Sequence, residues 1–185
     1  MREQGKKVMA FAASQMHLAA ARLGVSFEQA IDIILQHKGN TIVCGIGKSG
    51  AIAQKLTATL CSTGTRAIFL HAAEAVHGDL GVYTPGDPVI LISKSGASPE
   101  MVRLLPWFRE NGSAIIAIVG NLNSPLADHA DYVLDASVER ESDPLNLAPT
   151  ASSSVSMALG DGLAVCLMEA RKFTAEDFAR NHPGG

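Results

Sequence analysis

Five short apolar runs constrain this chain more than any other feature: Thr41-Ile42-Val43-Cys44, Ala67-Ile68-Phe69-Leu70, Val89-Ile90-Leu91-Ile92, Ala114 to Val119, and Tyr132-Val133-Leu134. None alternates apolar with polar residues, so none has a face meant for water, and strands of this kind are covered on both sides. Between them the spacing is helical, as in Ile52-Leu56-Leu60 before Gly64 and Met101-Val102-Leu105-Phe108 before Gly112, each glycine placed to stop a helix. Ser98-Pro99 and Ser124-Pro125 supply a cap and a first-turn residue soon after strands. The alternation of strand and helix predicts an α/β fold of three layers, a doubly wound parallel sheet of five strands.

Extra helices flank this unit. An amphipathic helix opens the chain. Ser26 with Gln29 three residues later reads as a capping box for a second helix carrying Phe27, Ala30, Ile31, Ile34 and Leu35. A long helix from about Ser153 to Arg171 and a short one capped by Thr174 close the chain. With 185 residues, 47% hydrophobic and 18% charged, a single globular domain over 1–185 is expected.

Fifteen basic against eighteen acidic residues leave a net charge of −3, which gives no broad field for nucleic acid or an acidic membrane. Cys44, Cys61 and Cys166 lie far apart in apolar sequence without CxxC spacing, as buried thiols of a reducing compartment such as the cytoplasm do. Lys6-Lys7 before Val8 to Ala13 imitates a signal peptide, but Ser14, Gln15 and His17 interrupt the apolar run too soon. No stretch suggests a membrane span.

In a doubly wound sheet the chemistry belongs beyond the carboxyl ends of the strands. Gly45-Ile46-Gly47-Lys48-Ser49-Gly50 is a GxGxxG between a strand and a helix. A dinucleotide would also need an acid about twenty positions on, where the second strand ends in His71 and the nearest acid is Glu74. A phosphate loop of the Walker type would need glycine where Ile42 stands. The glycines could alternatively make only a tight turn. A second loop, Ser93-Lys94-Ser95-Gly96-Ala97-Ser98-Pro99-Glu100, gathers hydroxyls, a glycine and a helix start, which together suit an anion. The residues alone point to a small phosphorylated ligand with a lysine and carboxylates nearby.

These loops, with His71-Ala72-Ala73-Glu74-Ala75-Val76-His77-Gly78-Asp79-Leu80-Gly81, Leu147-Ala148-Pro149-Thr150 and the tail Phe173 to Gly185, closely resemble the SIS (sugar isomerase) domain of the D-arabinose 5-phosphate isomerases. The resemblance implies a flavodoxin-like SIS fold. It also implies interconversion of D-ribulose 5-phosphate and D-arabinose 5-phosphate through an enediol, feeding Kdo and lipopolysaccharide biosynthesis, without an organic cofactor. It places catalytic residues at Lys48, Glu100, Glu141 and His182. Substrate contacts fall at Ser49, Gly64, Thr65, His71, His77, Ser93, Ser95 and Ser98. His71 also matches a position that takes an inhibitory zinc, although a lone histidine would not itself suggest metal.

The expected assembly is a homotetramer with active sites shared between subunits. Three departures stand out: Lys94 replaces the usual Asn and is expected to point to solvent, Ala97 replaces a frequent Glu, and Asp143 replaces a small residue. No paired CBS modules follow, which reads as a short-form isomerase or an excised catalytic domain.

Each residue also has a plainer reading. Lys48 could be a solvated loop lysine, Glu100 a carboxylate favouring a helix dipole, Glu141 a surface acid in a charge run, His77 a structural hydrogen bonder and His182 a tail residue. A sugar-phosphate sensor and an isomerase of another phosphosugar are the rival functions.

Overall fold

The structure is a computed structural model that describes residues 1–184. Gly185, the last residue of the His-Pro-Gly-Gly tail, lies outside the described residues. Two helices, α1 (Arg2–Ala21) and α2 (Val25–Gln36), lead into β1 (Thr41–Gly45), α3 (Gly47–Ser62) and β2 (Ala67–His71). A short α4 (Ala72–Ala75) and a 3-10 turn (Asp79–Val82) precede β3 (Val89–Ser93), followed by α5 (Pro99–Val102), α6 (Leu104–Glu110) and β4 (Ile115–Val119). The chain continues through α7 (Pro125–His129), β5 (Tyr132–Asp135), α8 (Ala151–Ala170) and α9 (Ala175–Asn181).

All strand pairs are parallel and the order is β2-β1-β3-β4-β5, the doubly wound arrangement expected. The apolar runs are uninterrupted because successive side chains enter different cores. Val43, Ile90, Ile92, Ile116 and Ile118 face the layer with α2, α3 and α8. Their neighbours Ile42, Cys44, Val89, Leu91, Ile115 and Ala117 face the layer with α5, α6 and α7. Every residue of β1, β3 and β4 is buried, so truncating a central side chain such as Leu91 to alanine should cost about 2–5 kcal/mol.

Several sequence expectations need correction. Ser26 is not a cap: the helix begins at Val25 after Gly24, with no side-chain cap bond. The helix expected through Met101 and Phe108 is broken at Arg103, because Pro106 has no N–H to donate to the Val102 carbonyl. Among the cysteines only Cys44 is fully buried; Cys61 is exposed and Cys166 half-buried. Burial pushes the Cys44 thiol up to about 12. Helix α8 is long and apolar enough to cross a membrane, but half of its apolar window is buried in the fold, where it packs on α1 and α3. It is a core helix. The Thr174 cap is realised as a reciprocal box with Asp177.

Candidate active site

The strand order reverses direction between β1 and β3, so the loops that follow them run to opposite faces and leave a crevice. A cleft of about 250 Å³ occupies it. Its first wall is the start of α3. Gly45 ends β1 where a Cβ would meet the Ser49 carbonyl oxygen at 2.7 Å, so only glycine lets the backbone turn back so tightly. Lys48 and Ser49 then line the cleft from the first turn of the helix. Lys48 is exposed and has no ion-pair partner among the described residues.

The second wall is the loop after β3. Ser93 is buried, and its hydroxyl accepts a 3.0 Å hydrogen bond from the Gly96 N–H. That turn needs glycine: Gly96 has φ +65° and an added Cβ would lie 2.0 Å from Ser124 Oγ. Ser95 Oγ accepts from the Ala97 N–H at 3.2 Å. Ser98 stands at the start of α5 without capping it through its side chain; its hydroxyl lies 3.5 Å from Ser93 Oγ, a long contact at the limit of a hydrogen bond. Ser93, Lys94, Ser95 and Ser98 all line the cleft.

The third wall is legible in the sequence only in part. Pro149, Ser152, Ser153 and Ser156, at the start of α8, complete the lining. Leu147 to Thr150 carry part of the resemblance, but the hydroxyl run Ser152-Ser153-Ser154-Val155-Ser156 reads only as the opening of a helix expected from about Ser153 and not as part of a site.

Beneath this wall sits Glu141, with no exposed side chain. The reading of Glu141 as a surface acid is therefore overturned. Its Oε2 accepts from the Thr150 N–H (2.9 Å), Thr150 Oγ1 (3.2 Å) and the Ser152 N–H (3.2 Å). Its Oε1 accepts from Ser152 Oγ and from Lys94 Nζ, the latter at 2.7 Å. Burial alone would raise the carboxyl pKa, but donors from Lys94, Ser152 and Thr150 outweigh it and hold the group at about 2. Lys94 is thus paired and does not simply point to solvent; the acid that claims it is hidden until the loop before α8 folds over it.

Asp143 has a comparable local role. Its carboxylate accepts from the N–H groups of Leu145, Leu147 and Ala148. Desolvation opposes ionisation there, and these backbone bonds together overcome it to lower the pKa. The braced loop leaves Leu145 and Leu147 exposed, at 74% and 73%.

The remaining expected residues divide between the two edges of the sheet. His71 ends β2 at the carboxyl edge, half-buried, with a buried Nδ1 that has no hydrogen-bond partner among the described residues. Glu100 is half-buried in the first turn of α5, outside the cleft lining. His77 is exposed and, among the described residues, bonds only through its backbone N–H, to the Glu74 carbonyl, with no hydrogen bond from its ring. Among the described residues no group of three or more His, Cys, Asp or Glu could hold a metal.

Gly64, Thr65 and His182 belong to the opposite edge. Thr65 is buried, accepts from Arg171 Nε at 3.2 Å, and precedes β2. His182 stacks on Phe178 with ring centroids 3.9 Å apart, and its Nδ1 lies 2.8 Å from the Phe178 carbonyl. Asn181 anchors this segment to the carbonyls of Cys61 and Ser62 at the end of α3. Within one chain, the length of a strand of five residues, about 17 Å, lies between that edge and Lys48. The chain alone does not assemble the expected set.

Fold and cleft together define a doubly wound α/β domain whose switch point presents serine hydroxyls and two lysines. The SIS domain pattern matches residues 34–166, and the chain belongs to the SIS domain family. Arabinose 5-phosphate isomerase KdsD of Pseudomonas aeruginosa is 52% identical over 165 residues, covering 89% of this chain and 51% of that protein. For arabinose 5-phosphate isomerase KpsF of Escherichia coli the identity is 49% over 159 residues, covering 86% and 50%. The chain therefore spans about half the length of these curated relatives. Among solved structures, E. coli CFT073 c3406 in complex with arabinose 5-phosphate superposes with a TM-score of 0.92 at 39% identity, covering 96% of this chain and 95% of that one.

Proposed function

We propose that this chain is an aldose–ketose isomerase that interconverts D-arabinose 5-phosphate and D-ribulose 5-phosphate. The observation that carries the reading is the cleft itself: seven serines and two lysines at the switch point, in a chain about half identical to proteins named for this activity. Phosphate binding among Ser93, Ser95 and Ser98 fixes one end of the sugar, so that binding energy remote from the reaction orients C1 and C2.

From the aldose, a base takes the C2 proton, the electron pair moves to give the enediolate, and the same base returns a proton to C1 while a hydroxyl proton passes from O2 to O1. His182 is the base in this scheme and Lys48 stabilises the developing oxyanion. Glu100 handles hydroxyl protons. His71, with its unpartnered buried nitrogen, and His77 contact the sugar. Arabinose 5-phosphate so formed would feed Kdo synthesis.

His182 must then reach Lys48 from a neighbouring chain. The edge that carries His182 also carries Gly64 and Thr65, so all three would arrive together, and exposed Leu145 and Leu147 offer apolar surface for such a contact. Assembly with shared sites follows from this reading, and a tetramer is the size that the resemblance implies. Inactive Lys48→Ala and His182→Ala subunits, co-refolded, should regain activity, with about a quarter of sites wild type under random pairing. Proven mixed oligomers without turnover would refute sharing. The activity is tested by assaying the purified chain on a panel of pentose and hexose phosphates: turnover of arabinose 5-phosphate above the others supports the reading, and binding without turnover of any member points to a sensor.

A further inference from the structure

The isomerase reading leaves Lys94 without a task. Its Nζ lies 2.7 Å from Glu141 Oε1, yet its side chain keeps 49% of its exposure, while that of Glu141 keeps none. The two residues occupy different positions relative to the ligand space: Lys94 lines the cleft and Glu141 does not. An ammonium has three N–H donors. Glu141 is the single acceptor that Nζ reaches among the described residues, so two donors remain for a ligand.

Glu141 has the opposite character. Both oxygens are taken, by two backbone N–H groups, two hydroxyls and the ammonium. A carboxylate so fully occupied has no free lone pair with which to accept a substrate proton. It sits against the N-terminal turn of α8, where the helix dipole also favours its charge. Its geometry suits holding a neighbour in place. Around Lys94 the loop supplies only neutral donors, from Ser93, Ser95 and Ser98, and Lys48 is the other basic residue of the lining.

We infer that Lys94, held in place by the buried Glu141 carboxylate, is a phosphate ligand of the cleft. Glu141 acts on the substrate through Lys94 and is a positioning residue. This inference rests on the phosphosugar reading above and adds to it a second charge beside Lys48 in the lining of the cleft.

The test uses the full chain and two ligands, arabinose 5-phosphate and inorganic phosphate, titrated calorimetrically into wild type, Lys94→Met and Lys94→Arg. Losing one charge-assisted contact should raise both dissociation constants about tenfold to a hundredfold in Lys94→Met. Lys94→Arg should retain most of the affinity. In turnover, KM should rise by more than kcat falls. Glu141→Gln should weaken binding in the Lys94 background and add little in the Lys94→Met background, because the two act as one unit.

Thermal melting checks each variant, and Lys94→Gln, which keeps a hydrogen bond to Glu141 without the charge, carries the test if Lys94→Met fails to fold. Wild-type affinity in the neutral variants, or a loss confined to kcat, overturns the inference while leaving the phosphosugar reading intact. Failure of wild type to bind either ligand defeats both.

Discussion

Replacing Glu141 by Gln removes one charge from a site where no side-chain surface is exposed and puts an amide N–H₂ against donors. The cost can be worked from the ionisation of the group. A carboxyl lowered from 4.5 to about 2 is favoured in its charged form by about 3 kcal/mol. A neutral glutamine resembles the protonated acid, so about 2–3 kcal/mol is expected at pH 7, the lower figure allowing for solvent screening of the half-exposed Lys94. For a chain of this length that is a fall in Tm of about 5–10 °C.

The pH dependence has a definite sign. Because the folded pKa lies below the unfolded one, this stabilisation is fully present above about pH 4.5 and is lost as pH falls through about 2. Wild type and Glu141→Gln should be compared by circular dichroism melting at equal protein concentration, with the gap narrowing from pH 6 toward pH 2. A gap that is absent at pH 6, or unchanged on acidification, refutes the reasoning. A surface acid in a charge run, the plainer reading of Glu141, would lose little on substitution; its burial reverses that expectation.

Two further substitutions probe the cleft. Gly96→Ala should destabilise the protein by about 1–3 kcal/mol and weaken phosphosugar binding, since φ +65° and the 2.0 Å approach to Ser124 Oγ admit no Cβ; melting and titration on one preparation check both. Ser95→Ala, on an exposed loop residue, should leave the Tm unchanged and raise KM for ribulose 5-phosphate by about tenfold or more, and an unchanged KM would remove Ser95 from the site.

What could be read in the sequence was whatever has a local signature. Strands such as Val89–Ser93 are buried on both faces, so their composition alone marks them, and loops such as Ser93 to Ser98 announce themselves by glycine and hydroxyls. Helix α4 and the 3-10 turn are only four residues each, too short for any periodicity. Ser26-Phe27-Glu28-Gln29 matches a capping box, but the chain starts its helix earlier, at Val25. The pairing of Lys94 with Glu141 joins loops on either side of β4 and β5, and nothing local records it. The separation of His182 from Lys48 is likewise a property of topology: α9 follows a long helix that carries the chain back to the amino edge of the sheet.

The proposed chemistry is tested most directly by incubating the purified chain with D-arabinose 5-phosphate in deuterium oxide and following C1 and C2 by NMR. Proton transfer through an enediol predicts the appearance of ribulose 5-phosphate, with solvent deuterium entering at C1 of the ketose and at C2 of the recovered aldose. Arabinose 5-phosphate that binds but neither converts nor exchanges its C2 proton would contradict it.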